Sequence, residues 1–447
     1  MTERKNLLDE NFTETAAAVF AEFSRSFQFD HRLFNAEIRV SIVYCDALFR
    51  AGVLTRAECE RIKNGLQTIL KRAEFNRDFF DDAARDVYSF IETRLVGLVG
   101  AAGEKLSVGR SRDEQTATAL RLWLREEIER ISKGAKDLQS ALMVAGERQK
   151  EAVFPAFANH RKTHPVLWAH WCLAYFEMLA RDRERLDETW RRVNILPLGA
   201  ESNFEIDREE IARELGFEGV SANGLDAVAD ADYAAEFLAA CSLLMIHLSR
   251  LAEDLILYAS DKFNFVEFAK PLSAQNVSEV LELVRGRASR VFGHQSALLS
   301  MTNNLPTVIH RDLPEAIFDS VETVKTCLKI SRFVMENLRV NEQKTREAVE
   351  EILNTNELAD YLIQRETPPA NAKETAEKII SYAASTNKKL SEANLKELRQ
   401  FSEKIEADVF DALKLEQILA SKNQIGGTAP ERVFEALEAA RASLERE

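Results

Sequence analysis

Two short stretches hold residue types that can do chemistry. Gly109-Arg110-Ser111-Arg112 sets two guanidinium groups and a hydroxyl just ahead of a helix-period apolar run that starts at Leu120. Free N–H groups at a helix start, joined by arginines that fork onto oxyanions, make an anion site. Asp113 and Glu114 follow directly, so the other reading is a helix-start cluster of ion pairs between Arg112 and nearby acids. His160 and His164 stand four apart, a spacing that holds a metal if both lie on one helical turn. Pro165 biases His164 away from helix and no third ligand is close in sequence, which points to a polar, partly exposed pair and no metal.

These groups must be positioned by helices. Leu120, Leu124, Ile128, Ile131, Leu138, Leu142 and Ala145 recur at spacings of three, four or seven. Similar seams run through Val166, Ala169, Leu173, Phe176 and Ala180, through Val280, Val284, Val291 and Leu298, and from Ile317 through Val321, Val324, Leu328 and Met335 to Leu338. A further seam, Phe237, Cys241, Leu244, Leu248, Leu251 and Leu255, has a second stripe beside it at Leu238, Met245, Ala252 and Ala259. A helix apolar over so wide a face is buried among several neighbours. Five such seams, with only nine prolines and sixteen glycines and no long alternating pattern, predict an all-α fold built on a bundle of long, roughly antiparallel helices.

Boundaries follow the punctuation. The glycine-bearing stretch from Gly97 to Gly109 ends a first helical region, and near Asn341 the long seams give way to shorter charged helices stopped at Pro368-Pro369. The expected division is an N-terminal helical domain over 1–106, a central long-helix bundle over 107–340 and a C-terminal helical domain over 341–447. Pro155 and Pro165 bracket a short non-helical connection.

Composition narrows the function classes. Of 447 residues, 46% are hydrophobic and 30% charged, enough for sizeable cores under a charged surface. A net charge of −14 argues against nucleic acid or an anionic membrane surface as main partner. Cys45, Cys59, Cys172, Cys241 and Cys327 are odd in number, widely spaced and without a Cys-x-x-Cys, so they read as reduced core thiols of a cytoplasmic protein. The first ten residues are charged rather than signal-like, and no apolar run of ~18 residues predicts a membrane span.

Longer stretches carry a resemblance. Phe29-Asp30-His31-Arg32-Leu33, the run LSVGRSRDEQ from Leu106 to Gln115 with Arg121-Leu122-Trp123 behind it, and Asn194-Ile195-Leu196-Pro197-Leu198-Gly199-Ala200 occur in that order. Leu225-Asp226-Ala227-Val228, Phe237-Leu238-Ala239-Ala240, Glu282-Leu283-Val284-Arg285-Gly286 and SKNQIGGTAPERV from Ser421 to Val433 complete the set. Together they are similar to argininosuccinate lyases, within the fumarase/aspartase superfamily. The resemblance implies a three-domain helical subunit, a homotetramer with active sites shared between subunits, and anti elimination of argininosuccinate to arginine and fumarate. It needs no cofactor, and it assigns substrate binding to Arg110, Ser111, Arg112 and Gln115.

That reaction takes a weakly acidic proton from a carbon beside a carboxylate, which calls for a base, cationic clamps and a lid. Here the sequence departs from the family. The mobile loop of the form Gly-Ser-Ser-x-Met-Pro-x-Lys-x-Asn is cut to FAKPLSAQNVSE, where Ser273, Lys270 and Asn276 are the available stand-ins. The family's Thr-His pair reads Ala158-Asn159, with His160 one residue later, leaving Ser273, His160 and Asn159 as weak catalytic candidates. Tyr44 and Tyr88 replace family histidines, Phe90 an asparagine, Ile309 the substrate-binding tyrosine, and Asp113-Glu114 an Asn-Asp pair. The expected function is therefore a lyase-like pseudoenzyme kept as an oligomeric structural or regulatory subunit, with a small dicarboxylate or amino-acid-like ligand. The alternative is an active C–N lyase, on argininosuccinate or a related substrate, with a rearranged site.

Overall fold

The computed structural model describes residues 19–76, 79–80, 84–158, 161–303, 313–350, 355–386 and 393–446. Helices dominate, as the seams require. The longer ones are α1 Phe34–Arg50, α2 Arg56–Phe75, α3 Val87–Val99, α4 Arg112–Arg148, α5 Trp168–Val193, α6 Arg208–Leu215, α7 Asp232–Ala259, α8 Ala274–Thr302 and α9 Leu313–Glu336, followed by α10 Glu342–Glu350, α11 Thr355–Gln364, α12 Pro369–Ser385, α13 Leu415–Ser421 and α14 Pro430–Arg446. At 1.5 Å per residue the 37-residue α4 is about 55 Å long.

The chain packs as two compact units, one of residues 1–133, 183–245 and 289–326, the other of 134–182, 246–288 and 327–447. In the first unit α1, α2 and α3 close over a knot of rings, with Phe34 edge-on to Phe80 at 5.2 Å and Phe79 edge-on to Phe90 at 5.5 Å. Thr55 starts α2 with a reciprocal capping box to Glu58. Arg125 of α4 is buried and donates to Asn194 Oδ1 at 2.7 Å and to the Leu215 carbonyl at 2.8 Å, tying down the C-terminus of α6. In the second unit Leu173, Phe176, Leu419, Val433 and Leu437 share one apolar core, and α11 and α12 build another around Leu362, Ala376 and Ile379. The Gly-Gly turn that precedes α14 admits no side chain at Gly427, whose added Cβ would fall 2.0 Å from the Lys422 carbonyl oxygen.

All ten residues named in the two stripes of α7 are buried. By length and average composition alone the helix could cross a membrane, and 56% of its most apolar stretch is buried inside the protein, as in a core helix. In α8 the seam holds at Val284, Val291 and Leu298, while Val280 is 37% exposed.

Among the described residues six short strands form three two-stranded sheets: β1 Val153–Ala158 with β2 Arg161–Leu167, β3 Ile195–Leu196 with β4 Gly219–Val220, and β5 Val266–Phe268 with β6 Leu338–Val340. Where the sequence predicted an irregular connection there is the β1–β2 antiparallel hairpin, with Pro155 opposite Pro165. A two-stranded ribbon leaves each strand a free edge, where a proline without an N–H is tolerated. Val166, read as the start of the α5 seam, lies on β2 instead.

Candidate functional site

The Gly109–Arg112 turn lies at a helix start, as its composition predicts: α4 begins at Arg112. Ser111 Oγ accepts the Glu114 N–H at 3.1 Å, and Glu114 Oε2 accepts the Ser111 N–H at 3.3 Å, a reciprocal cap. The other Glu114 oxygen accepts the Glu201 N–H at 3.1 Å, so this carboxylate is fully buried and fastens a neighbouring loop. Gly109 has φ +73°, and a Cβ there would meet Phe204 and Ser202 Oγ at 2.9 Å; the turn and the 202–204 segment touch at van der Waals range.

The two arginines of the turn differ. Arg110 points inward, its side chain 2% exposed, with Nη1 3.6 Å from Glu37 Oε1 and 3.3 Å from Ser41 Oγ. Glu37 also accepts from Ser41 Oγ at 2.7 Å and from Gln115 Nε2. Burial pushes the Glu37 carboxyl up, against the pull of Arg110, Ser41 and Gln115. Arg110 and Gln115, expected to bind substrate, are thus engaged with α1. Arg112 is partly exposed, pairs with Glu92 at 3.2 Å and donates to Gln115 Oε1 at 3.2 Å.

Each arginine also rests on an aromatic ring. Arg110 lies over Tyr44 at 5.2 Å and Arg112 over Tyr88 at 5.0 Å. These are the two tyrosines that stand where the family resemblance expects histidines. Tyr44 OH donates to the Val108 carbonyl at 2.9 Å, holding the turn from the other side. Both phenols are pushed above their usual range by burial, so they are neutral platforms under the two guanidinium groups near neutral pH.

Beside the turn opens a cleft of about 610 Å³. Arg25, Arg85 and Arg112 line it, and so do five carboxyl groups, Asp30, Asp86, Asp113, Asp230 and Glu315. Arg85 lies 3.5 Å from Asp86, so two of the three cations face an acid already. Asp30, within the Phe29–Leu33 stretch, is one of these five acids. Its carboxylate accepts from Ser26 Oγ at 2.6 Å and from the Val87 N–H at 3.0 Å, and burial raises it to about 6. A carboxyl that titrates near neutral pH in a cleft is a proton carrier in chemical terms. The signal available in sequence was the Ser26-x-x-x-Asp30 spacing, one helical turn.

Ser273 belongs to the other unit. It is exposed and caps α8: its Oγ accepts the Asn276 N–H at 3.2 Å and is bonded to the Asn276 side chain. His164, on β2, is half-buried with Nδ1 3.1 Å from Thr163 Oγ1, and burial lowers its pKa, with Lys422 and His170 adding to the effect. Asn159, His160, Ile309 and His310 lie outside the described residues. Among the described residues no cluster of three or more potential metal ligands occurs.

A lyase family model matches residues 10–278, and an argininosuccinate lyase C-terminal model matches residues 352–420. The argininosuccinate lyase of Azotobacter vinelandii is 39% identical over 448 residues, covering 97% of each chain. This chain belongs to the argininosuccinate lyase family, within the fumarase/aspartase superfamily. The Pelotomaculum thermopropionicum argininosuccinate lyase is similar to the same degree, 37% identical over 97% of each chain. The fold agrees with solved members of the superfamily. EDDS lyase in complex with formate superposes with TM-score 0.84 at 21% identity, over 94% of this chain and 87% of that one. A fumarate lyase from Mesorhizobium sp. BNC1 gives TM-score 0.71 at 16% identity, over 98% and 100%.

Proposed function

We propose that this argininosuccinate lyase-like protein keeps the family scaffold and a ligand cleft but does not cleave argininosuccinate, and acts as an oligomeric structural or regulatory subunit. The charge of the cleft carries this reading. Argininosuccinate presents its carboxylates to cationic clamps, whereas here five carboxyl groups face three guanidinium groups. Like charges in a low-dielectric cleft repel strongly. Asp113 stands where the family has asparagine, and Arg110 is turned away into its pair with Glu37. Ser273, the serine of the shortened loop that could stand in for the family's, is engaged as a helix cap. Each general acid or base contributes roughly 10²–10⁴-fold, so the combined loss removes turnover. Purified protein incubated with argininosuccinate is expected to release fumarate no faster than buffer. Turnover abolished by Ser273→Ala would overturn the proposal and make Ser273 the base.

A second reading, an active C–N lyase with a rearranged site, is favoured by the likeness to named argininosuccinate lyases along nearly the whole chain and by the titration of Asp30 near neutral pH. Under it, fumarate release would show a pH limb near 6 that Asp30→Asn abolishes. No release from argininosuccinate or related aspartate adducts rules it out.

A further inference from the structure

Cys45 on α1 and Cys59 on α2 lie side by side, with their sulfurs 3.5 Å apart and both thiols free. Each Sγ is also aimed at the other residue's carbonyl oxygen, Cys45 at 3.7 Å and Cys59 at 3.6 Å. Cys45 is sealed from solvent. Cys59, although only 4% exposed, forms part of the wall of a surface cavity of about 540 Å³ shared with Asp46, Phe49, Lys63 and Asn64. The two sulfurs thus have different access: one meets whatever enters the cavity, and the other stands directly behind it.

We propose that Cys59 and Cys45 form a redox modification site, in which a small-molecule disulfide entering the cavity is reduced and the pair closes into an intrachain disulfide between α1 and α2. Cys59 loses its proton to solvent and attacks one sulfur of R–S–S–R. The S–S bond breaks, one RS⁻ leaves and takes up a proton, and Cys59 carries a mixed disulfide. Cys45 then loses its proton, attacks the Cys59 sulfur and expels the second RS⁻, which is protonated in turn. Two protein thiols are oxidised, and one disulfide is reduced to two thiols. Closure brings the sulfurs from 3.5 Å to about 2 Å.

The surroundings set the rate. Burial holds both thiols above their usual range, and the Asp46 carboxylate, 3.5 Å from the Cys59 sulfur, adds to the effect. Lys63, 2.6 Å from Asp46, partly offsets that charge. The pair is therefore a slow responder to sustained oxidation, unlike a fast peroxide sensor. α1 also carries Glu37, Ser41 and Tyr44, the residues that hold the Arg110 turn, so stapling α1 to α2 stiffens the wall behind that turn.

The test is to incubate the full chain with hydroxyethyl disulfide and count thiols after denaturation. The count is expected to fall from five to three, and peptide mapping without reductant is expected to find the Cys45 and Cys59 peptides joined, two hydrogens lighter than their sum. The melting temperature of the oxidised protein is expected to rise and to return on reduction. Cys45→Ala is expected to stop at a mixed disulfide on Cys59 with no cross-link. An unchanged thiol count in the wild-type chain, or a cross-link joining other cysteines or two chains, overturns the proposal; the mapping depends on no variant.

Discussion

Arg110 Nη1 stands 3.6 Å from Glu37 Oε1, with the two side chains 2% and 1% exposed. A buried pair like this adds little net stability over apolar replacements, but breaking it strands a charge. Glu37→Ala is expected to cost about 3–5 kcal/mol in urea unfolding. The double variant Glu37→Met with Arg110→Met is expected to lose less than Glu37→Ala alone. Additive losses would show that the two groups do not act as a pair.

Asp30 gives the fold a pH signature. Burial raises its carboxyl from 3.8 to about 6 in the folded protein, so the unfolded chain releases this proton first as pH rises. The group's favourable contribution is present below about 4 and lost by about 6, worth at most about 3 kcal/mol. Asp30→Asn is expected to match wild type at acid pH and to exceed it in stability increasingly between pH 4 and 7. A difference that stays constant across that range would refute the shift.

The cleft's acids predict its ligand preference. Arginine and similar amine-bearing solutes are expected to raise the melting temperature by mass action, up to about 2.7 kcal/mol at a hundredfold excess over Kd. Sulfate and succinate are expected to leave it unchanged. Asp113→Asn, which removes one carboxylate from the cleft wall, is expected to reveal an anion-dependent shift that Arg112→Ala then abolishes. Stabilisation of the wild-type chain by sulfate would reverse the assignment.

Self-association is expected from α8. Phe292 and Leu299, seven residues apart and so on one face, are 59% and 52% exposed. Covering them contributes ~25 cal/mol per Å² of apolar area removed from water. Light scattering is expected to give about four times the 50.6 kDa chain mass, and Phe292→Glu with Leu299→Glu to lower it without lowering the melting temperature. Leu248, at 1% exposure, is a core position where a charge would test folding instead. A wild-type chain that scatters as a monomer would defeat the proposal.

Sequence reading reached the long helices because their seams repeat every three or four residues over several turns, and local periodicity survives in any packing. It missed the β1–β2 hairpin because two prolines in a ribbon of two edges look, residue by residue, like a loop. At the turn, the spacing placed Arg110, Ser111 and Arg112 at a helix start. Spacing is silent on direction, and whether Arg110 faces the cleft or the core depends on Glu37, more than seventy residues earlier. Likewise, replacing two histidines by Tyr44 and Tyr88 reads in sequence as pure loss, although in space it supplies the rings on which the two arginines lie.

The apolar breadth of α7 matters first on the ribosome. A 28-residue helix with the length and composition of a membrane span emerges before α8, whose Arg285 pairs with its Glu253. At roughly 5–20 residues per second, the ~40 residues that complete α8 take about 2–8 s. In that interval α7 has only earlier helices for cover, and α5 offers a ready hold: Trp171 Nε1 and Tyr175 OH both donate to Asp254 Oδ2, at 3.1 and 2.8 Å. Weakening that hold is expected to cut the yield of soluble protein before any effect on the finished fold.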